Sequence, residues 1–309
     1  MLYGSILGKV VVITSMPGSQ DITLYAYLDI DNPMVAWEVA VGRMISADVH
    51  RVKNLSVSSW QYNHLCRCLK YGLSLDFINE MRLELTREAH FRENVSRLQG
   101  LYFFETPEAA KLALKYWRIP LKESHISPIR FFPKRMTKVD SEWITANIDK
   151  EEDPSWMSSY WNGEIKGRSP LYEILATGFG EVLNYDLRVQ AYRSILEIWP
   201  YSTPLLAMAC CAFQVKGMND IAAVMPGLYA EGKNVCGDYV IDISDLDNQK
   251  KEIIEAVNIC RENGTYPQTT KPKDTGAFFI LPDLASLGFS FESPKATDML
   301  KQIKPEGTA

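Results

Sequence analysis

Apolar positions in this chain follow two different periods. Near the start they run together or alternate. Lys9 to Thr14 reads Lys-Val-Val-Val-Ile-Thr and Ile22 to Ile30 reads Ile-Thr-Leu-Tyr-Ala-Tyr-Leu-Asp-Ile, closed off by Met16-Pro17-Gly18 and Asp31-Asn32-Pro33. β-branched and aromatic runs bounded by such breakers predict strands of a hairpin or meander. Val35 to Val41 is expected to add another strand. From Ser58 to about Arg92 the period changes: Leu65, Leu69, Leu73, Leu75, Ile78, Met81 and Leu85 recur mostly three or four apart, and Gly72 divides the segment, which predicts two helices. Leu98 to Glu105 then reads as a short buried strand. Thr106-Pro107-Glu108 supplies a capping hydroxyl, a proline for the first helical position and an acid for the first turn, so a helix is expected from Glu108 to Trp117, before Pro120.

Further along, Pro128 to Pro133 and Met136 to Ile144 predict two extended pieces, and the polar stretch Asp149 to Pro154 predicts a loop. A Trp- and Tyr-rich segment, Trp156 to Gly163, leads into Leu171 to Leu183, expected to form a sheet edge with a turn at its glycines. Leu187 to Trp199, Thr203 to Phe213 and Asn248 to Asn263 predict helices, with a short strand at Tyr239 to Ile243. From Thr265 onward Pro, Thr, Lys and Gly dominate, and residues from Pro294 to Ala309 are expected to be a loosely held tail.

With 309 residues, 46% of them hydrophobic and 23% charged, the chain has the composition of a globular protein that can bury a core. The length suits two domains. The longest apolar run, Pro204 to Phe213, is far shorter than the roughly 20 residues a bilayer span needs, and the start has no signal-peptide pattern, so a cytoplasmic location with no membrane partner is expected. A formal net charge of −5 gives no global attraction to nucleic acid or anionic lipid, although a local basic groove remains open. Six cysteines do not make a disulfide scaffold in a chain this long. Cys66-Arg67-Cys68 and Cys210-Cys211 lack zinc-site spacing, and no metal is expected. The four histidines are scattered, there is no phosphate-binding glycine loop and no nucleophile elbow, and spacing alone neither supports nor excludes a Cys-His pair.

Three segments bear chemistry in order: Val49-His50-Arg51-Val52, then Ser96-Arg97-Leu98-Gln99-Gly100-Leu101-Tyr102-Phe103-Phe104-Glu105-Thr106-Pro107-Glu108-Ala109-Ala110, then Pro170-Leu171-Tyr172-Glu173-Ile174-Leu175-Ala176-Thr177-Gly178. Together they resemble the ADP-ribosyltransferase superfamily, in which a basic residue lies on an early strand, a Ser precedes a central strand that leads into a capped helix, and a glutamate comes late near a sheet edge. The resemblance covers about Ala47 to Leu183. It implies an α+β fold with a split β-sheet core and flanking helices over residues 1–186, the N-terminal β segment 1–46 included, followed by a mainly helical C-terminal region, 187–309.

The resemblance also implies an enzyme that uses NAD as co-substrate, cleaves the nicotinamide–ribose bond and transfers ADP-ribose to a macromolecular acceptor, RNA or protein, as a bacterial toxin or phage-defence effector. An inhibitory antitoxin or a chaperone would be a further partner. Cleavage builds positive charge on the ribose, which calls for a carboxylate; Glu173 is the candidate, with Glu142 and Glu181 as substitutes. The pyrophosphate calls for a cation, to which the fork of Arg51 is suited, with His50 beside it as the alternative. Tyr102 or Phe103 would face the nicotinamide, whichever points into the cleft, and Ser96 would sit at the strand entrance. The bland readings are a surface pair for His50 and Arg51, a solvated charge for Arg97 and core packing for the aromatics. Two departures disfavour transfer to arginine: Leu171 stands two residues before Glu173 where that branch carries Glu or Gln, and Gly100 to Phe103 replaces its Ser-Thr-Ser strand. The alternatives are a catalytically inactive protein of the same fold that binds a partner through Trp156 to Trp161 and the C-terminal helices, and an NAD hydrolase.

Overall fold

The computed structural model describes residues 13–14, 21–49, 54–72, 74–120, 122–151, 154–273 and 276–303. In chain order, β1 (Ile13–Thr14) and β2 (Ile22–Tyr27) are followed by α1 (Pro33–Val41), β3 (Arg43–Ile45) and β4 (Leu55–Ser56). Next come α2 (Ser59–Lys70), α3 (Ser74–His90), β5 (Leu101–Phe103), α4 (Pro107–Tyr116), the long β6 (Ile126–Asp140), α5 (Glu142–Asn147), α6 (Ser155–Trp161) and β7 (Tyr172–Val182). The remainder is α7 (Tyr185–Ile198), α8 (Thr203–Lys216), β8 (Ala223–Glu231), β9 (Asn234–Asp242), α9 (Lys250–Glu262), β10 (Phe289–Glu292) and α10 (Pro294–Leu300). Every strand pair is antiparallel, so the fold is α+β.

Two sheets organise the chain. In the first, β6 and β7 lie side by side at the centre; β1 and β2 flank β6, and β5 and β3 flank β7. The second runs β10-β9-β8-β4. Because successive strand residues face opposite ways, β5 sends Leu101 and Phe103 into the main core with Phe131, Ile174 and Trp37. It sends Tyr102 to the other face, against Val139, Leu175, Tyr160 and Trp161. The main core takes in Trp37, Leu65 and Phe131 from one side of the 186/187 position and Leu205, Val224, Ile253 and Leu300 from the other.

Several elements differ from the sequence expectations, each for a local reason. Val35 to Val41 is a helix, α1. Asn32 accepts the Met34 and Val35 amides, Pro33 takes the first turn and Gly42 closes the helix in the left-handed region. The helix is buried on nearly all sides, which erases the amphipathic period that would have revealed it. The two pieces expected over Pro128 to Ile144 are one strand, β6, whose register shifts at Pro133, after which α5 already starts at Glu142. A shift of this kind is where a strand tolerates proline. Leu171 to Leu183 is not an edge: β7 is paired on both sides. The strand β8 was masked by Pro226 and Gly227 in its middle. The expected loose tail contains α10, which buries Ala296, Thr297 and Leu300, with Ile303 behind it; residues 304–309 lie outside the described residues, as does the Lys9 to Val12 part of the first expected strand. The segment Trp156 to Trp161 does not offer its aromatics to a partner, because α6 buries Trp156, Met157, Tyr160 and Trp161.

The turn expected at the glycines of Leu171 to Leu183 is not formed: β7 runs unbroken through Gly178, which pairs with Pro133 at the register shift of β6. The φ of Gly178 is +139°, a Cβ there would overlap the Phe132 carbonyl oxygen, and Ser46 clamps the spot by accepting the Gly178 amide through Oγ and donating its own amide to the Gly178 carbonyl. Gly178→Ala is therefore expected to cost about 1–3 kcal/mol from backbone strain, read as a lowered urea midpoint with an unchanged slope.

Candidate active site

The face of the main sheet opposite the large core holds a cleft of about 580 Å³. α2 contributes Trp60, Gln61, His64, Arg67 and Cys68; Glu80 comes from α3, Ile144 and Thr145 from α5, Tyr102 from β5 and Glu173 from β7. Arg97 and the turn after α4, Trp117 to Pro120, complete it. The elements are set by polar contacts of their own. Ser58 caps α2 by accepting the Gln61 amide, and buried Asp140 ends β6 by accepting the backbone amides of Glu142, Lys166 and Leu171, which fixes where α5 begins.

Arg97 is the hub of the floor. Its Nε and Nη2 donate to the two oxygens of Glu80 at 3.1 Å each, and Nη1 donates to Glu173 Oε1 at 2.6 Å and to the Tyr160 hydroxyl at 2.8 Å. Its guanidinium lies 5.4 Å from the Tyr102 ring centre and 5.5 Å from that of Tyr160. Tyr160 also donates to Glu173 Oε1 at 2.9 Å, while Glu173 Oε2 makes no hydrogen bond among the described residues. The Tyr102 hydroxyl lies 2.9 Å from Gln61 Oε1 and 2.7 Å from the Arg97 carbonyl. Gln61 Nε2 is buried and, among the described residues, makes no hydrogen bond of good geometry, although it faces Glu80 closely enough to help lower that carboxyl. Among the described residues the cleft floor thus keeps Glu173 Oε2 as an acceptor without a donor and Gln61 Nε2 as a donor poorly matched by Glu80, an arrangement a ligand with its own polar groups would complete.

One guanidinium faces two carboxylates, and these respond differently. Burial pushes Glu80 up, but Arg97, His64 and the hydrogen bonding of Arg97 and Gln61 together outweigh it, holding Glu80 below its ordinary range. Burial wins at Glu173: reinforced by Glu80 and opposed by Arg97 and Tyr160, it holds this carboxyl above its ordinary value. Opposed shifts in neighbouring acids mark a permanent anion beside a group able to gain or lose a proton. His64 keeps 29% of its side-chain surface exposed, yet desolvation first and then Arg67 and Arg97 pull it down to about 4 against the pull of Glu80, so it is a neutral imidazole at pH 7. Cys68 Sγ is 3.7 Å from His64 Nε2, but burial pushes its thiol up to about 12, aided by Asp76 and Glu80. This pair holds no thiolate for nucleophilic attack. Among the described residues, no three His, Cys, Asp or Glu side chains are grouped as a metal ion would require.

The expected site residues divide. Glu173 and Tyr102 line the cleft together. Phe103 faces the main core instead, because it is one residue out of phase with Tyr102. Ser96 does not line the cleft. Its hydroxyl donates to Glu84 Oε2 at 2.9 Å and accepts the Leu98 and Gln99 amides, tying the turn that presents Arg97 to α3. His50 and Arg51 lie outside the described residues. Of the substitute acids, Glu181 is ion-paired with Arg130, and neither it nor Glu142 lines the cleft. Arg97 is buried rather than solvated, and with Glu80, Gln61 and Tyr160 it completes a network the sequence reading missed. The signal that could have found it was an acid pair, Glu80 and Glu84, one helical turn apart and flanked by Phe77 and Met81, which both lie in the core.

A family model described as a protein of unknown function (DUF2441) matches residues 19–190. That segment contains every residue of the Arg97 network. No curated protein and no solved structure matches the chain. No single helix among the described residues is long and apolar enough to cross a membrane.

Proposed function

Since the chain belongs to the DUF2441 family of unknown function, we propose its activity from the cleft: it cleaves NAD at the nicotinamide–ribose bond and transfers ADP-ribose to an acceptor. The observation that carries this reading is Glu173, a buried carboxylate with one oxygen held by Arg97 and Tyr160 and the other free to face a ligand.

In this reading the C1′–N bond of NAD breaks with its electron pair leaving on nicotinamide, and Glu173 stabilises the cation that develops at C1′. The acceptor's nucleophile then bonds to C1′ and gives up its proton to the Glu173 carboxylate, from which it passes to solvent. Arg97 holds that carboxylate in place and is a positioning residue. Tyr102 and Trp60, whose ring centres are 5.9 Å apart, offer aromatic faces to a cationic pyridinium ring. Gln61 Nε2 supplies a donor for a carboxamide oxygen. Arg67, exposed at the rim, takes the pyrophosphate. The cleft volume falls in the range of roughly 300–1,000 Å³ usual for small-molecule sites.

The test is to incubate the full-length protein with NAD labelled in both halves and to follow nicotinamide release and the fate of ADP-ribose, beside Glu173→Gln. Release that depends on Glu173, with label on a macromolecule, supports transfer. Free ADP-ribose alone would show a hydrolase. No release and no NAD binding would leave an interaction protein and overturn the reading.

A further inference from the structure

The active-site cleft continues into a second groove of about 510 Å³, lined by Lys111, Leu112, Lys115 and Glu123, and Arg118, Ile119 and Pro120 belong to both. Two helix ends border these pockets: Tyr71, just after α2, lines the cleft, and Lys115, in the last turn of α4, lines the groove. The last turn of α2 also brings Lys70. Lys111 is neutralised by Glu123 at 2.6 Å. Lys70, Lys115 and Arg118 are exposed and, among the described residues, make no ion pair. A cation at a helix C-terminus is usually explained by the helix dipole, and that would account for Lys70 and Lys115 singly. It does not account for Arg118, which follows α4 in the left-handed region at φ +56°. Nor does it account for the apolar surface beside these charges: Tyr71 is 67% exposed and Leu112 60%. In a chain of net charge −5, Lys115 and Arg118 along the groove, with Lys70 5.6 Å from the centre of the exposed Tyr71 ring at the adjoining cleft, form a local departure from the global charge.

We propose that this groove docks a single-stranded nucleic acid, with Lys70, Lys115 and Arg118 on its phosphates and an unstacked base on Tyr71, so that the strand is led to Glu173 as the acceptor of ADP-ribose. Single strands are bound by such a combination of backbone-tracking cations and a stacking ring, whereas a duplex keeps its bases away from Tyr71. The acceptor role rests on the function proposed above; the binding does not.

The experiment measures the anisotropy of labelled single-stranded RNA and, in a parallel arm, single-stranded DNA of mixed sequence with the full-length protein, over a salt series and without NAD. Binding to either strand is expected, with log affinity falling against log salt by about 0.7 for each phosphate contact. The double variant Lys70→Glu/Lys115→Glu should bind roughly tenfold or more weakly, with a slope shallower by about 1.4. Tyr71→Ala should weaken binding without changing the slope. Nicotinamide release, measured in the same preparation without oligonucleotide, should be unaltered in the double variant. No binding at low salt or binding indifferent to the double variant would overturn the docking, and, with labelled NAD added to the bound strand, label found only on protein would overturn the acceptor role. Strand binding without nicotinamide release would sink the NAD reading and leave the docking groove standing.

Discussion

Arg97→Met is expected to lower folding stability by about 3–5 kcal/mol, the cost typical of removing one partner from a buried ion pair. Methionine fills much of the space but leaves Glu80 with no guanidinium and Glu173 with only Tyr160. The sign of the pH dependence should change as well. In the native protein Glu80 sits below its ordinary value of 4.5, so its contribution is present above that value and is lost as pH falls through the lowered one. Without Arg97 burial dominates at both acids, their folded values rise, and the variant should be relatively most stable in acid, losing stability as pH rises. Urea titrations at several pH values read both effects. Adding Glu80→Gln to Arg97→Met should restore part of the loss, since it removes the stranded charge. A variant as stable as the native protein, with an unchanged pH profile, would show that the network is not formed.

Glu173→Gln is expected to lower nicotinamide release by roughly 10²–10³-fold, the usual cost of losing one preorganised electrostatic partner of a transition state. Folding should barely change. Glutamine keeps an oxygen for Arg97 and Tyr160, and burial already disfavours the charge that is removed. Because burial holds the Glu173 carboxyl above 4.5, native activity should fall as the solution is acidified through that raised value, and the variant's residual activity should lack this limb. KM for NAD should move little, since the carboxylate acts mainly on charge that appears during bond cleavage. A loss confined to KM would place Glu173 in binding alone.

The parts of this site that could be read from the chain are those encoded within a few residues. The helix start at Thr106-Pro107 is local, and its cap forms through Thr106 Oγ1 and the Ala109 amide. Glu173 and Tyr102 stood out because a carboxylate and an aromatic occur in short segments of recognisable type. Arg97 did not, because a charged residue in a turn is by default solvated; only partners contributed by α3, α6 and β7 make its burial tolerable, and pairing over such separations leaves no local trace. The helix α1 was hidden for a related reason: burial on nearly all sides removes the polar half of its pattern, and what remains is an apolar run that fits either geometry.

The pairing of β4 with β8 has a consequence for how the polypeptide can be divided. Leu55 and Ser56 take their neighbours from Leu228 and Gly227, Trp37 Nε1 donates to the Ala222 carbonyl, and Cys210 Sγ lies 3.5 Å from the Ala40 carbonyl oxygen near the end of α1. A fragment stopping at residue 190, where the family match ends, would cut α7 in two and uncover a tryptophan, an unpaired strand margin and one side of α1 at once. Such a fragment should elute as aggregate on size exclusion, while the unbroken chain runs as a defined species. That outcome would show that the segment defining the family is not a unit of folding, and that the cleft depends on support from residues beyond it.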